Sequence, residues 1–170
     1  MVRETAEIGV IVERRALKNP WIDHAWVPVT ALVGAPAATP WTIVEQSPGL
    51  VRYYAGAIEL ELFGTDTTMY RENLRSQQPL IWVALRPTDA PPGVVLLLVT
   101  VDPAEAEALT ETGTDIIEAL PMPVELQRQL TAFVEAHHIE RPFIKRKRDR
   151  ADPDAMARRD RGSVHGSDEE

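Results

Sequence analysis

Apolar and polar positions alternate with a period of two through most of the first hundred residues and take up a helical period in the last ordered stretch. From Glu7 to Arg15, Ile8, Val10 and Val12 share one face and predict a strand, and the Asn19-Pro20 pair beyond it is a turn signal. The alternation resumes from His24 to Val33. Pro28 inside that run predicts an edge or a bulge, because proline has no N–H to give to a ladder. These two strands are expected to pair as an antiparallel hairpin with a long loop. Trp41 to Gln46 reads as a short strand ended by Ser47-Pro48-Gly49. Leu50 to Phe63 is the longest strand candidate, with Tyr54, Ile58, Leu60 and Leu62 on the parity expected to face the core. Tyr53, Ala55, Ala57, Glu59 and Glu61 fall on the parity expected to be wet.

Between Thr65 and Ser76 the spacing changes to Met69, Tyr70, Asn73 and Leu74, which predicts a short helix with Asp66 as its N-cap. Leu80 to Leu85 and Val94 to Val101 are apolar, β-branched runs separated by Pro87, Pro91, Pro92 and Gly93, a second hairpin with buried strands. Asp102-Pro103 opens a helix through Glu111 that Gly113 stops, and Ile116 to Leu120 is a brief extended piece. The last helix runs from Pro123 to about His137. Its stripe of Leu126, Leu130, Phe133, Val134 and His137 predicts one face packed on the sheet.

Composition adds constraints to this pattern. A chain of 170 residues with 44% hydrophobic content is sized for one core. With no cysteine there is no disulfide, thiolate zinc site or cysteine nucleophile. The start of the chain lacks the basic and apolar regions of a signal peptide, and the longest apolar run, Val94 to Val99, falls far below the roughly 20 residues of a membrane-crossing helix. A cytoplasmic protein without membrane insertion is expected. The net charge of −8 is uneven: residues 1–140 hold nine Lys+Arg against nineteen Asp+Glu, whereas 141–150 hold six basic residues and one acid. Phosphate contacts would have to come from that basic end alone, so nucleic-acid binding is not favoured. Beyond residue 145 the chain has too few large apolar residues to offset its ordering entropy, so 1–145 is expected to be one globular domain and 146–170 a disordered basic and polar tail.

Candidate chemistry is sparse. Glu59 and Glu61 would stand roughly 7 Å apart on one strand face, a spacing a glycosidase could use, but alternating glutamates are the ordinary dress of a solvated face. His137 and His138 are helix neighbours that point about 100° apart, so they suit the helix C-terminus better than a shared metal. No serine lies in a Gly-x-Ser-x-Gly elbow, and the nine glycines form neither a P-loop nor a dinucleotide fingerprint. No catalytic residue, metal or cofactor is therefore assigned, and enzyme activity is left open with the balance against it. Trp21, Trp26 and Trp41 fall within 21 residues around the first hairpin. They would either plug the core's edge or anchor a partner. The cluster Lys145, Arg146, Lys147 and Arg148 could meet an acidic partner, a nucleic acid or an anionic membrane, or simply solubilise the tail. These seven residues are the candidate partner-binding set.

The segments 12–15, 21–29, Arg52-Tyr53-Tyr54-Ala55-Gly56, Glu59-Leu60-Glu61-Leu62 and 141–148 together resemble a proteobacterial family of unknown function, the likeness spanning nearly residues 7 to 153. Genes of that family tend to lie beside those for molybdenum-dependent formate dehydrogenase and its accessory proteins. The resemblance implies a protein partner, a formate dehydrogenase subunit or maturation factor. Some members are labelled molybdopterin-guanine dinucleotide biosynthesis protein A, which would imply a GTP-dependent nucleotidyltransferase on a parallel sheet. Against that label, Ile8 to Val12 runs into Glu13-Arg14-Arg15 with no glycine loop.

The expected architecture is α+β: a mostly antiparallel, curved sheet of about six strands that could be barrel-like, in the manner of a pleckstrin-homology-type barrel, with the C-terminal helix packed on it. The expected role is a non-enzymatic binding or assembly-accessory module. A molybdenum-cofactor nucleotidyltransferase and a tail-driven nucleic-acid binder are the alternatives, and the oligomeric state is open.

Overall fold

A computed structural model describes residues 1–142 and 144. All of its helices and strands lie in one compact unit, Met1–Ile139. The polar-apolar alternation produces seven strands: β1 Arg3–Ala16, β2 His24–Val33, β3 Thr42–Ser47, β4 Leu50–Phe63, β5 Leu80–Pro87, β6 Val94–Thr100 and β7 Ile116–Pro121. The helices are α1 Thr67–Arg75, α2 Pro103–Glu111 and α3 Val124–His137. No helix among the described residues is long and apolar enough to cross a membrane.

The strands form two antiparallel sheets and not one. Sheet 1 has the order β2-β1-β4-β3 and sheet 2 the order β6-β5-β7. β6 lies alongside β4 and β7 alongside β2, with Cα atoms within 8 Å, yet no ladder joins the sheets. The barrel-like expectation is corrected here, and the reason is edge chemistry. β1 takes one edge of β4 along nearly its whole length, and β3 takes the Leu50–Tyr54 part of the other. β2 is an edge strand, and its Pro28 offers no N–H. A register shift places Val29 in a bulge opposite Ile11 and Val12, so Pro28 marks both an edge and a bulge.

A second bulge matters more. Val10 pairs with Gly56 and Ile11 with Tyr54, so Ala55 is the extra residue on β4. One inserted residue exchanges the faces of everything before it. Ile58, Leu60 and Leu62 face the core as expected, but upstream of the bulge it is Tyr53 and Ala55 that join them. Tyr54 is buried on the opposite face, against Gly9, where a methyl group would lie 3.3 Å from its ring. The assignment of Tyr54 to the core parity, and of Tyr53 and Ala55 to the wet one, is reversed by this bulge.

α3 closes one end of the space between the sheets. Leu126, Leu130, Phe133 and Val134 are buried, Phe133 meets the Tyr70 ring of α1 at 6.3 Å, and Gln129 Nε2 donates to the Thr5 carbonyl near the start of β1. α1 begins differently from its expected form. The chain enters through a 3-10 turn, Gly64–Asp66, and Asp66 takes the N-cap position without a side-chain capping bond. Asp102 caps α2 as expected, accepting from the Ala104 and Glu105 N–H groups.

Buried Asn73 holds this end together. Its Nδ2 donates to the Leu80 and Val101 carbonyls, both at 2.8 Å, and its Oδ1 accepts from the Leu80 N–H at 3.0 Å. One side chain thus ties α1 to the start of β5 and the exit of β6. Asn73→Leu removes the partner of the buried Val101 carbonyl and of two half-buried Leu80 backbone groups, each costing about 1 kcal/mol. The variant is expected to lower the urea midpoint by an amount equivalent to roughly 2 to 4 kcal/mol; a loss below about 0.5 kcal/mol would remove Asn73 from this role.

Candidate functional site

At the end of sheet 1 remote from α3, the register lines up side chains in transverse rows across all four strands. On the face turned away from the core the row is Val27, Glu13, Arg52, Glu45. Glu13 is 2% exposed although charged. It accepts hydrogen bonds from Arg15 Nε and, at 2.9 Å, from Arg52 Nε, while Arg52 Nη1 reaches Glu45 at 2.8 Å. The Arg15 guanidinium holds the Glu13 carboxyl below the usual range against the upward push of burial, and Arg52 adds to the effect. Alternating charge across neighbouring strands stabilises the pairing of β1, β4 and β3.

On the core-side face the corresponding row is Trp26, Arg14, Val51, Gln46. Trp26 is 7% exposed and centres an aromatic cluster: His24 meets it edge-on at 5.7 Å, Trp41 at 5.6 Å and Tyr53 at 5.7 Å. The Arg14 guanidinium carbon lies 6.0 Å from the Trp26 ring centroid, at the limit of a cation–π contact. Trp41 adopts the left-handed region, φ 70°, an uncommon and strained conformation for a bulky residue. It is held there by its N–H bond to the Tyr54 carbonyl and by its packing on Trp26 and Tyr53.

Beside this cluster opens a cleft of about 680 Å³, within the range of small-ligand sites, lined by Arg14, Asp23, His24, Gln46, Ser47 and Leu50 among others. Asp23 is hydrogen-bonded to Nδ1 of His24. The loop that supplies Asp23 also carries the apolar residues Leu17, Trp21 and Ile22, which are 41%, 90% and 57% exposed. The cleft offers a guanidinium, an imidazole, an amide and a hydroxyl over an apolar floor of Leu50 and Val51. Such a set can receive an anion or an extended segment. No hydrogen bond joins Ser47 to His24 among the described residues.

The candidate partner-binding residues are thus divided. Trp26 and Trp41 pack together at the core's edge, Trp21 projects from the loop close to the cleft, and Lys145, Arg146, Lys147 and Arg148 lie outside the described residues, as does the expected tail. Glu59 and Glu61 are exposed and share Arg3, as a solvated face would. His137 packs on Phe133 at 4.8 Å, and His138 Nδ1 is 3.0 Å from the hydroxyl of buried Thr67. Among the described residues no three His, Asp or Glu side chains converge as metal ligands. Sequence reasoning missed Arg14, His24 and Gln46 as neighbours. The available signal was Arg14 itself, a cation continuing the core parity of Ile8, Val10 and Val12.

A family model described as "Protein of unknown function (DUF3305)" matches residues 7–147. No curated protein and no solved structure matches the chain.

Glu13 provides a pH test of this end of the sheet. Because its folded-state pKa is depressed, its stabilisation is present in full above the ordinary glutamate value of about 4.5 and is lost as pH falls through the folded value. Glu13→Gln is expected to lower stability at pH 7 by roughly 1 kcal/mol, discounted for the solvent-exposed arginines. The gap between the two proteins in denaturant melts should stay constant down to about pH 4.5 and narrow below it. A gap of unchanged size at pH 3 would contradict the ion pairing.

Proposed function

Starting from the fact that this chain belongs to the DUF3305 family, whose description assigns no activity, we propose that it is a non-enzymatic binding module that assists assembly of a larger enzyme. The observation that carries the reading is the exposed Trp21, with Ile22 and Leu17 beside it, on a loop that also walls an open cleft. A tryptophan left 90% exposed next to two exposed aliphatic residues is the composition of a partner anchor, where aromatic burial concentrates binding energy. Trp26 and Trp41 pack on each other at the core's edge, and His24, in the wall of the cleft, meets the Trp26 ring.

The client is a subunit or maturation factor of a molybdenum-dependent formate dehydrogenase, on the resemblance set out from the sequence, and the encounter takes place in the cytoplasm. The nucleotidyltransferase alternative calls for a parallel sheet with a phosphate-binding loop at its switch point. Every ladder among the described strands is antiparallel, which favours the accessory reading over that one.

The test uses the full chain and purified formate dehydrogenase subunits, with binding followed by calorimetry and GTP titrated separately. The wild-type protein is expected to retain one subunit, Trp21→Ala to weaken that binding at least about tenfold, as a hot-spot tryptophan does, and GTP to give no saturable heat. Saturable GTP binding without subunit binding would overturn the accessory reading.

A further inference from the structure

The cations gathered at the cleft end of β1 are not equally satisfied. Arg15 and Arg52 are neutralised on the outer face by Glu13, and Arg52 also by Glu45. Arg14, on the core-side face, is exposed and makes no ion pair among the described residues; its recorded contact is the ring of Trp26. A guanidinium resting on an aromatic ring keeps its planar fork of N–H donors available, and that fork matches a carboxylate in a bidentate pair. His24 is engaged through Nδ1 by Asp23, which leaves its second ring nitrogen to the cleft's occupant. Asp23 faces the same cleft and repels an anion placed near it, so the favourable position lies on the Arg14 side.

The register sets the dimensions. Gln46 stands on the same row as Arg14, two strands away, about 10 Å by strand spacing. That span equals roughly three residues of extended chain. Between them Val51 supplies an apolar floor, and Leu17, Trp21 and Ile22 stand exposed on the loop that brings Asp23 to the cleft. Lys18, on the same loop, adds a second exposed cation without an ion pair among the described residues.

We propose that the cleft receives a carboxylate side chain carried on an extended peptide segment of the partner, with Arg14 as the anchoring cation, Gln46 as an amide contact further along the segment, and an apolar neighbour of the carboxylate packed on Trp21 and Ile22. This rests on the accessory reading and specifies the chemistry of the partner segment. Charge adds to the preference: residues 1–140 hold nineteen acids against nine bases, so an acidic segment is repelled over much of the surface, while Arg14 and Lys18 give this end two cations without an ion pair among the described residues.

The experiment is a titration of the isotope-labelled full chain, followed by amide and indole N–H shifts. The probe is a blocked pentapeptide alternating leucine with glutamate; its glutamine counterpart and succinate are the comparisons. The glutamate peptide is expected to saturate, with shifts centred on Arg14, His24, Gln46 and Ser47 and on the Trp21 indole. Arg14→Gln should weaken it about tenfold, equivalent to roughly 1.4 kcal/mol. Arg14→Lys, which keeps the charge and loses the fork, should fall between, and Arg128→Gln on α3 should leave binding unchanged. Thermal melts of the variants check that the fold is kept. Equal binding of the glutamine peptide, or undiminished binding by a folded Arg14→Gln, would overturn the proposal. So would succinate binding at the same residues as tightly as the peptide, since the ligand would then be a small dicarboxylate.

The two readings fail separately. Retention of a formate dehydrogenase subunit equally by wild type and Arg14→Gln sinks the carboxylate site and leaves the accessory role standing. Saturation by the glutamate peptide without subunit binding does the reverse.

Discussion

Everything in sheet 1 hangs on the ladder between β1 and β4, two strands of fourteen residues paired over nearly their whole length and interrupted once, at Ala55. On the α3 side of that bulge Ile58, Leu60 and Leu62 face inward with Ala6, Ile8 and Val10 of β1. On the other side the inward face belongs to Tyr53 and Ala55. Without the extra residue, Arg52 would take the inward parity and its ion pair with Glu13 could not form across the outer face. The bulge therefore sorts charge from aromatic surface at the end of the sheet where the cleft lies.

The two ends of the molecule's core are closed by different means. At one, α3 and α1 bring in aliphatic and aromatic side chains, and the fully bonded amide of Asn73 fixes their position relative to sheet 2. At the other, no helix is available, and rings do the work: Trp26, Trp41 and Tyr53 pack at 5.6 to 6.1 Å. Gly93, at φ 115° in the β5–β6 turn, sits close to the Trp26 indole, where a methyl group would lie 3.8 Å from Nε1. The cleft opens at the margin of this cluster, with His24 in its wall.

Electrostatics gives this margin its character. Four arginines of the acidic unit are placed against carboxylates: Arg3 with Glu59 and Glu61, Arg86 with Asp115, Arg15 and Arg52 with Glu13. Surface pairs of this kind contribute little stability but silence the charge. Arg14 instead lies at the outer limit of cation–π distance from the Trp26 ring and has no ion pair among the described residues, which leaves its donors for an outside group.

Most elements were legible from the one-dimensional pattern. β2 and β4 span the residues that alternation marks, α2 follows from the Asp102-Pro103 start, and the stripe of α3 from Leu126 to Val134 is buried as its spacing requires. These features are local, decided by periodicity and capping within a dozen residues. What alternation could not carry was the pairing partner of each strand. That β1 lies between β2 and β4, and β5 between β6 and β7, so that the described strands split into two sheets and do not close a barrel, depends on the β1–β4 and β5–β7 pairings between segments far apart in the chain. So does the bulge at Ala55, a residue unremarkable in sequence that becomes extra when β1 is laid against β4. The grouping of Arg14, His24 and Gln46 follows from that same register, since three strands must be aligned before their side chains share a row. Local periodicity settled which segments are strands and helices; register, the face exchange at Ala55, edges and the cleft were decided by tertiary structure, because hydrogen-bonded pairing couples residues that no local periodicity relates.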